Sequence, residues 1–257
     1  MKKTIALSLA VIMMLAFAGC GAKAPAETTA VTTAPADTTA SESTAAAEST
    51  AAQAAVNTHE EFISGEVDTQ YTVETAVQAK QGWWEKDGQG VATIYTQAED
   101  GAYFLYEVPC TKEEYDQLTE GTMIRVTGYK TEWEGEVELA DCTFEIIDGN
   151  YIAEPLDVTD LLASEDLIAH QNEKISVSGM TVKKIEYKNG EPGDDIYLTV
   201  SHDDAEYTFC VEAYLTGPDT DVYKSVADLK EGDTVDMEGF LYWYKGANPH
   251  VTSITVK

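Results

Sequence analysis

Basic side chains are what this sequence has least of. Lys and Arg together number 16 against 46 Asp and Glu in 257 residues, a formal charge of -30, and Arg125 is the only arginine. A surface of that sign repels phosphate backbones, so composition disfavours nucleic acid as a partner. Recognisable catalytic motifs are also missing. There is no Gly-rich phosphate loop, no Gly-x-Ser-x-Gly and no His-Glu-x-x-His. His59, His170, His202 and His250 are widely spaced and lack the Cys or carboxylate pattern of a zinc site. Asp194-Asp195, His202-Asp203-Asp204 and Asp219-Thr220-Asp221 lack the form of a calcium loop and read as solvated turns. The sequence therefore points to no catalytic residue, no metal, no cofactor and no enzyme. A hydrophobic content of 44% still permits a packed core.

Long apolar runs are absent except from Ile5 to Ala18, behind the basic Met1-Lys2-Lys3. That run is too short to span a bilayer comfortably and reads as a secretory signal. It ends in Phe17-Ala18-Gly19-Cys20, which resembles the lipobox of bacterial lipoproteins, although the family more often has Leu where this chain has Phe17. The resemblance implies cleavage of residues 1–19, lipidation of Cys20 and a cell-membrane location, lipid-anchored on the extracytoplasmic face. Two or more acyl chains anchor stably because each buried methylene contributes about 0.8 kcal/mol.

Residues 22–57 contain no aromatic, Leu or Ile and are mostly Ala, Thr and Ser. No core can be built from them, so 20–57 reads as a lipidated Cys followed by a disordered tether. As a flexible coil it spans roughly 33 Å. It is nearly neutral, leaving the acidic charge on 58–257.

That remainder contains two copies of one unit, offset by 111 positions. Leu118, Glu120, Gly121, Ile124, Val126, Gly128, Tyr129, Trp133 and Gly135 align with Leu229, Glu231, Gly232, Val235, Met237, Gly239, Phe240, Tyr244 and Gly246. Alternation and β-branched content predict five strands per copy. In the first they cover about 71–81, 90–97, 102–109, 122–130 and 136–146, with a helix from Thr111 to Leu118. In the second they cover about 174–187, 195–201, 205–213, 233–242 and 249–257, with a helix near 220–229. A leader helix is expected before each copy, at the Thr58-His59-Glu60-Glu61 capping box and within 157–170.

This order, with Gly121 to Gly128 and Gly232 to Gly239 framing each fourth strand, resembles the OB-fold, a five-stranded Greek-key barrel. The fold class is thus mainly β: two tandem OB-like barrels, 58–148 and 149–257, each preceded by a short helix. β-sandwiches are the alternative. The region is similar to tandem OB-fold lipoproteins of Gram-positive bacteria.

Aligning the copies places Ile196, Leu198, Val200, Phe209 and Val211 inward in the second barrel, and Ala92, Ile94, Thr96, Phe104 and Tyr106 inward in the first. Thr93, Tyr95, Tyr103 and Leu105 then face outward, as do Tyr197, Thr199, Thr208 and Cys210. OB barrels bind on the outside of strands two and three. Trp83, Trp84, Tyr95, Tyr103 and Trp133 are therefore candidates for an aromatic binding face, with Tyr197, Tyr242, Trp243 and Tyr244 as weaker ones. Flat rings stack on sugars and anchor interfaces, so the expected ligand is a glycan or an envelope or host protein. The alternative is a scaffolding module in which these rings close barrel ends or pack between barrels. An accessory role in nucleic-acid processing ranks below both. Cys110 and Cys142 lie on strands that neighbour each other in an OB barrel and could form a disulfide after export; two reduced buried thiols are the alternative.

Overall fold

The computed structural model describes residues 55–257. The expected signal, Cys20 and all but the last residues of the expected tether lie outside the described residues. Within them, two barrels repeat one strand order. The first comprises α1 (His59–Ser64), β1 (Gln70–Lys80), β2 (Trp84–Lys86), β3 (Gln89–Ala98), β4 (Gly101–Pro109), α2 (Lys112–Gln117), β5 (Thr122–Trp133) and β6 (Glu136–Asn150). The second comprises β7 (Leu156–Asp157), β8 (Lys174–Tyr187), β9 (Ile196–His202), β10 (Ala205–Val211), α3 (Asp221–Ala227), β11 (Thr234–Phe240) and β12 (His250–Val256). The first sheet runs β1-β5-β6-β4-β3-β2 and closes through β1–β3. The second runs β11-β12-β10-β9-β8-β7 and closes through β11–β8. In each, the third and fifth barrel strands pair in parallel while the other barrel neighbours are antiparallel, which is the OB-fold order.

The local chemistry explains the elements. Thr58 and Glu61 form a reciprocal capping box on α1, and Thr111 and Glu114 do the same on α2. Thr220 caps α3 by accepting from the Tyr223 amide. Phe62 of α1 plugs the end of the first barrel against Tyr71 and Tyr103, with ring centroids 5.5 and 5.3 Å away. The corresponding plug of the second barrel is Leu162 and Leu167. Its leader is two 3-10 turns, Thr159–Leu161 and Glu165–His170, rather than the expected helix. The Asp157 carboxylate holds the Thr159 amide and hydroxyl, and Ser164 caps a second start, so two local stops replace one continuous helix.

Each barrel carries one strand more than the sequence indicates. The extra strand β2 pairs with β3 across Asp87-Gly88, both left-handed, the requirement of a two-residue hairpin. The extra strand β7 adds in parallel to β8. The aligned glycines sit at aligned turns: Gly121 and Gly232 have φ of 87° and 93°, and Glu134-Gly135 and Lys245-Gly246 are left-handed pairs. Gly128 and Gly239 mark register shifts where the fifth barrel strand crosses the fourth. A Cβ on Gly239 would lie 2.0 Å from the His250 carbonyl oxygen, and one on Gly128 would lie 2.6 Å from Cys142 Sγ.

Two cores fill the barrels. Val73, Ala92, Ile94, Leu105, Ile124, Val126 and Leu139 belong to the first, and Ile175, Val177, Ile196, Leu198, Val200, Phe209 and Val235 to the second. A third cluster, Tyr95, Phe104 and Phe240 with Leu215 and Tyr242 packed on it, joins one barrel to the other. Cys110 and Cys142 are separate buried thiols, which corrects the disulfide expectation. Cys142 Sγ is directed at Gly128, whereas Cys110 follows β4, where its carbonyl accepts from the Trp83 indole.

Candidate functional site

One register shift rearranges the face drawn from the sequence. In β4, Val108 pairs with Ala92 and Leu105 with Ile94, so two residues separate the paired positions on one side and one on the other. Glu107, at φ 47°, occupies the bulge and its amide donates to Thr93 Oγ1. A bulge of one residue reverses which side chains face the core before it. Tyr103 and Leu105 therefore point into the first barrel, while Phe104 and Tyr106 point out, the reverse of the expectation. In the second barrel β9 and β10 pair without a shift, and Phe209 and Val211 face inward as expected.

The candidate aromatic face divides accordingly. Tyr103 is buried under α1, edge-on to His59 at 5.2 Å. Tyr95 does face away from its own barrel but is covered by the other: it stacks on Phe240 at 4.5 Å, and its hydroxyl is 2.8 Å from His250 Nδ1. Trp83 is half-buried against the first core, with its indole N–H donating to the Cys110 carbonyl at 3.1 Å. Trp84 and Trp133 remain exposed. Trp243 packs on the second core, Tyr197 and Tyr242 are half-buried, and Tyr244 is exposed.

The exposed rings that remain line a groove along the junction of the barrels. At one end Trp83, Trp84, Tyr106, Glu107 and Tyr214 surround a depression of about 490 Å³. The middle is lined by Tyr106, Asp195, Tyr197, Glu212, Tyr244 and His250 among others. At the other end Tyr106, Trp133, Glu138 and Tyr242 enclose about 400 Å³. Cross-barrel hydrogen bonds hold the walls: Gln81 Nε2 to Glu212 at 3.0 Å, the Gly82 amide to the Tyr214 carbonyl at 2.9 Å, and the Trp243 amide to Glu136 Oε2 at 2.7 Å. Gln171 bridges the Gly135 carbonyl and the Val137 amide.

Three carboxyl groups here are held near or above neutrality. Burial raises Glu136 to about 8, Glu138 to about 7, and Glu212 to about 7, the last with help from the Asp195 charge. Glu136 is fully buried, and its Oε1 has no hydrogen-bond partner, nor does Asn172 Oδ1 nearby. A neutral Glu136 carries a proton that turns an orphaned acceptor into a donor. His250 is also buried; desolvation lowers it to about 4, so it is neutral at pH 7. Among the described residues no three His, Cys, Asp or Glu side chains form a metal-holding group.

Sequence reasoning missed Tyr106, Glu138, Glu212 and Tyr214. Tyr106 reads as inward in the sequence because nothing local marks the Glu107 bulge. The two glutamates are indistinguishable in sequence from the many solvated ones. Trp83, Trp84, Trp133, Tyr197, Tyr242 and Tyr244 are the sequence candidates that line the groove.

No known family's sequence profile matches the chain, and no curated protein matches it. Among solved structures, it is similar to a murine DNA-binding protein bound with double-stranded DNA, at 12% identity and TM-score 0.37, covering 72% of this chain and 94% of that one. It is also similar to the Ifi202 HINa domain in complex with 20-bp double-stranded DNA, at 12% identity and TM-score 0.34, covering 74% and 96%. A third is a replication protein A heterotrimer bound to single-stranded DNA, at 10% identity and TM-score 0.34, covering 73% and 49%. The expectation of a glycan or an envelope or host protein as ligand is corrected, because the aromatic face on which it rested does not form: Tyr95 and Tyr103 are buried, and the ranking of nucleic acid below those ligands falls with that face.

Proposed function

We propose that this protein is a non-enzymatic binding module that seats a small organic ligand in the groove between its two barrels. The observation that carries this reading is the groove itself: exposed rings of Trp84, Tyr106, Trp133 and Tyr244 beside a few placed polar groups, at a junction of two folded units. Concave, largely preformed sites of this size and lining are where small ligands bind. The absence of catalysis in this reading is supported by two groups. The Cys210 thiol is pushed far up by burial, which leaves it inert as a nucleophile. His250 is committed to Tyr95 and is too weak a base at about 4 to serve near pH 7.

The proposal places the module on the outer face of a cell membrane, tethered through lipid on Cys20, as in Gram-positive lipoproteins. Its support is the Phe17-Ala18-Gly19-Cys20 sequence and the core-free stretch behind it. Globomycin treatment of expressing cells should leave an unprocessed precursor of altered gel mobility; unchanged mobility overturns the tether.

Single-stranded nucleic acid is the second reading, favoured by the same exposed rings, on which successive bases can stack. Tryptophan fluorescence separates the two, because Trp83, Trp84 and Trp133 all line the groove. The full-length chain is titrated with indole, benzoate, benzyltrimethylammonium and a short oligothymidylate. Saturable response to a small solute supports the proposal. Response to the oligonucleotide alone transfers the groove to the second reading, and silence from all four overturns both.

A further inference from the structure

The end of the groove closed by Trp133 has a chemistry more specific than the rest. Tyr106, Trp133 and Tyr242 form three of its walls, and Glu138 forms the fourth. Glu138 reaches this position because β6 leaves the Glu134-Gly135 hairpin with Glu136 and Glu138 on the same side, two residues apart. Among the described residues, its carboxyl accepts a hydrogen bond only from Thr131 Oγ1, at the long distance of 3.5 Å. Among the described residues, no basic side chain pairs with it. Glu107, the acid in the adjoining part of the groove, is occupied by Lys86, and Asp195 is occupied by Lys188 at 2.8 Å. Glu138 is thus a nearly buried carboxyl facing a cavity without a counter-charge, and burying an unpaired charge is costly.

Resting on the groove reading above, we infer that this end is a cage for an organic cation, an ammonium or alkylated ammonium group held by the faces of Tyr106, Trp133 and Tyr242 and paired with Glu138. Aromatic faces carry the negative end of the ring quadrupole and attract a cation laid over them. An anion meets three ring faces and a carboxyl, with no positive group to receive it. A divalent metal finds a single carboxylate where it needs several oxygen ligands. A neutral ligand can stack, but it leaves Glu138 unpaired. Trp133 is 56% exposed and Tyr106 is 41% exposed. A cation entering between them covers apolar surface that no described residue covers.

Choline and 3,3-dimethylbutan-1-ol have the same shape and differ in charge, so they isolate this claim. Calorimetric titration of the full-length chain should show choline binding roughly tenfold or more tightly than the neutral alcohol. Glu138→Gln should abolish that preference with an unchanged fold by circular dichroism, and Trp133→Ala, at an exposed position, should weaken choline without altering the melting temperature. Equal affinities for the two ligands, or an undiminished preference in E138Q, overturn the cation cage. Indole or benzoate binding with choline and benzyltrimethylammonium silent overturns the cage and leaves the groove reading intact. Silence from all of them overturns both.

Discussion

The two barrels share a strand order, glycine turns and a capped helix before the fourth strand, yet they contribute differently to the groove. The first has a bulge at Glu107, which turns Phe104 toward the second barrel and Tyr106 into the groove. The second has no shift between β9 and β10, so its corresponding outer positions are Thr208 and Cys210, small side chains of which Cys210 alone lines the groove. What it provides instead is the Tyr242 to Tyr244 connection and the Glu212 to Tyr214 loop. One inserted residue in one copy thus makes the pair asymmetric.

The equivalent glycines test that asymmetry most severely. Gly239→Ala places its methyl 2.0 Å from a backbone oxygen of His250, the residue that anchors Tyr95 across the junction. Gly128→Ala meets Cys142 Sγ at 2.6 Å, a side-chain atom, and the Ala140 carbonyl oxygen at 3.0 Å. Overpacking of this kind costs roughly 1–3 kcal/mol, and more where backbone must move. Chemical denaturation should therefore rank G239A as the larger loss, beyond about 3 kcal/mol, with G128A in the lower part of the range. Equal losses would mean that the second crossing is no tighter than the first. Phe240→Ala should match the larger value, about 3–5 kcal/mol, because it removes the ring under Tyr95.

The glycine turns and the second barrel's alternation were legible in the sequence for one reason: each is enforced locally. Gly121, Gly232 and Gly135 occupy left-handed conformations, and a strand pair without a shift preserves period two from end to end. The first barrel's outer face was not legible, because the bulge sits on Glu107, a residue with no glycine to announce it. Tyr95 shows the second limit. Its direction was read correctly, but its exposure is decided by Phe240 and His250, more than a hundred residues away in sequence. Carboxylates were the least legible. Glu136, Glu138 and Glu212 are picked out from 46 acidic residues by burial without a basic partner, which the equally buried Asp195 has in Lys188.

Those three carboxyl groups make the junction the pH-sensitive part of the molecule. A carboxyl raised from its ordinary 4.5 to 7 or 8 is protonated in the folded protein over a range where the unfolded chain has ionised. The folded state then holds more protons, so stability is greatest at acid pH and falls as pH rises from about 4.5 to about 8. Each such group contributes a slope of about 1.4 kcal/mol per pH unit in its window. His250, lowered to about 4, and His59, also lowered by burial, act in the opposite direction and cost stability as pH falls below 6.5. Because three groups oppose two, the melting temperature should decline between pH 5 and 8. Glu136→Gln keeps a donor for Asn172 and should remove about one group's slope. An E136Q profile parallel to the unsubstituted chain would show that Glu136 is ionised in the fold.

The smallest effect concerns the two capping boxes. Thr58 starts α1, whose Phe62 plugs the first barrel, whereas Thr111 starts α2, which buries no residue of its own. Loss of either hydroxyl removes an N-cap bond, about 1 kcal/mol in each case. The consequences differ because α1 buries Phe62 fully, whereas α2 reaches the core only with the half-buried Tyr115. Thr58→Ala loosens Phe62 against Tyr71 and Tyr103 and should lower the melting temperature of the whole unit. Thr111→Ala should mainly fray α2, with faster amide exchange over Lys112 to Gln117 and a smaller shift in melting. Equal shifts for the two variants would mean that α2 supports the first barrel as firmly as the plug does, and that the first barrel is closed from both ends.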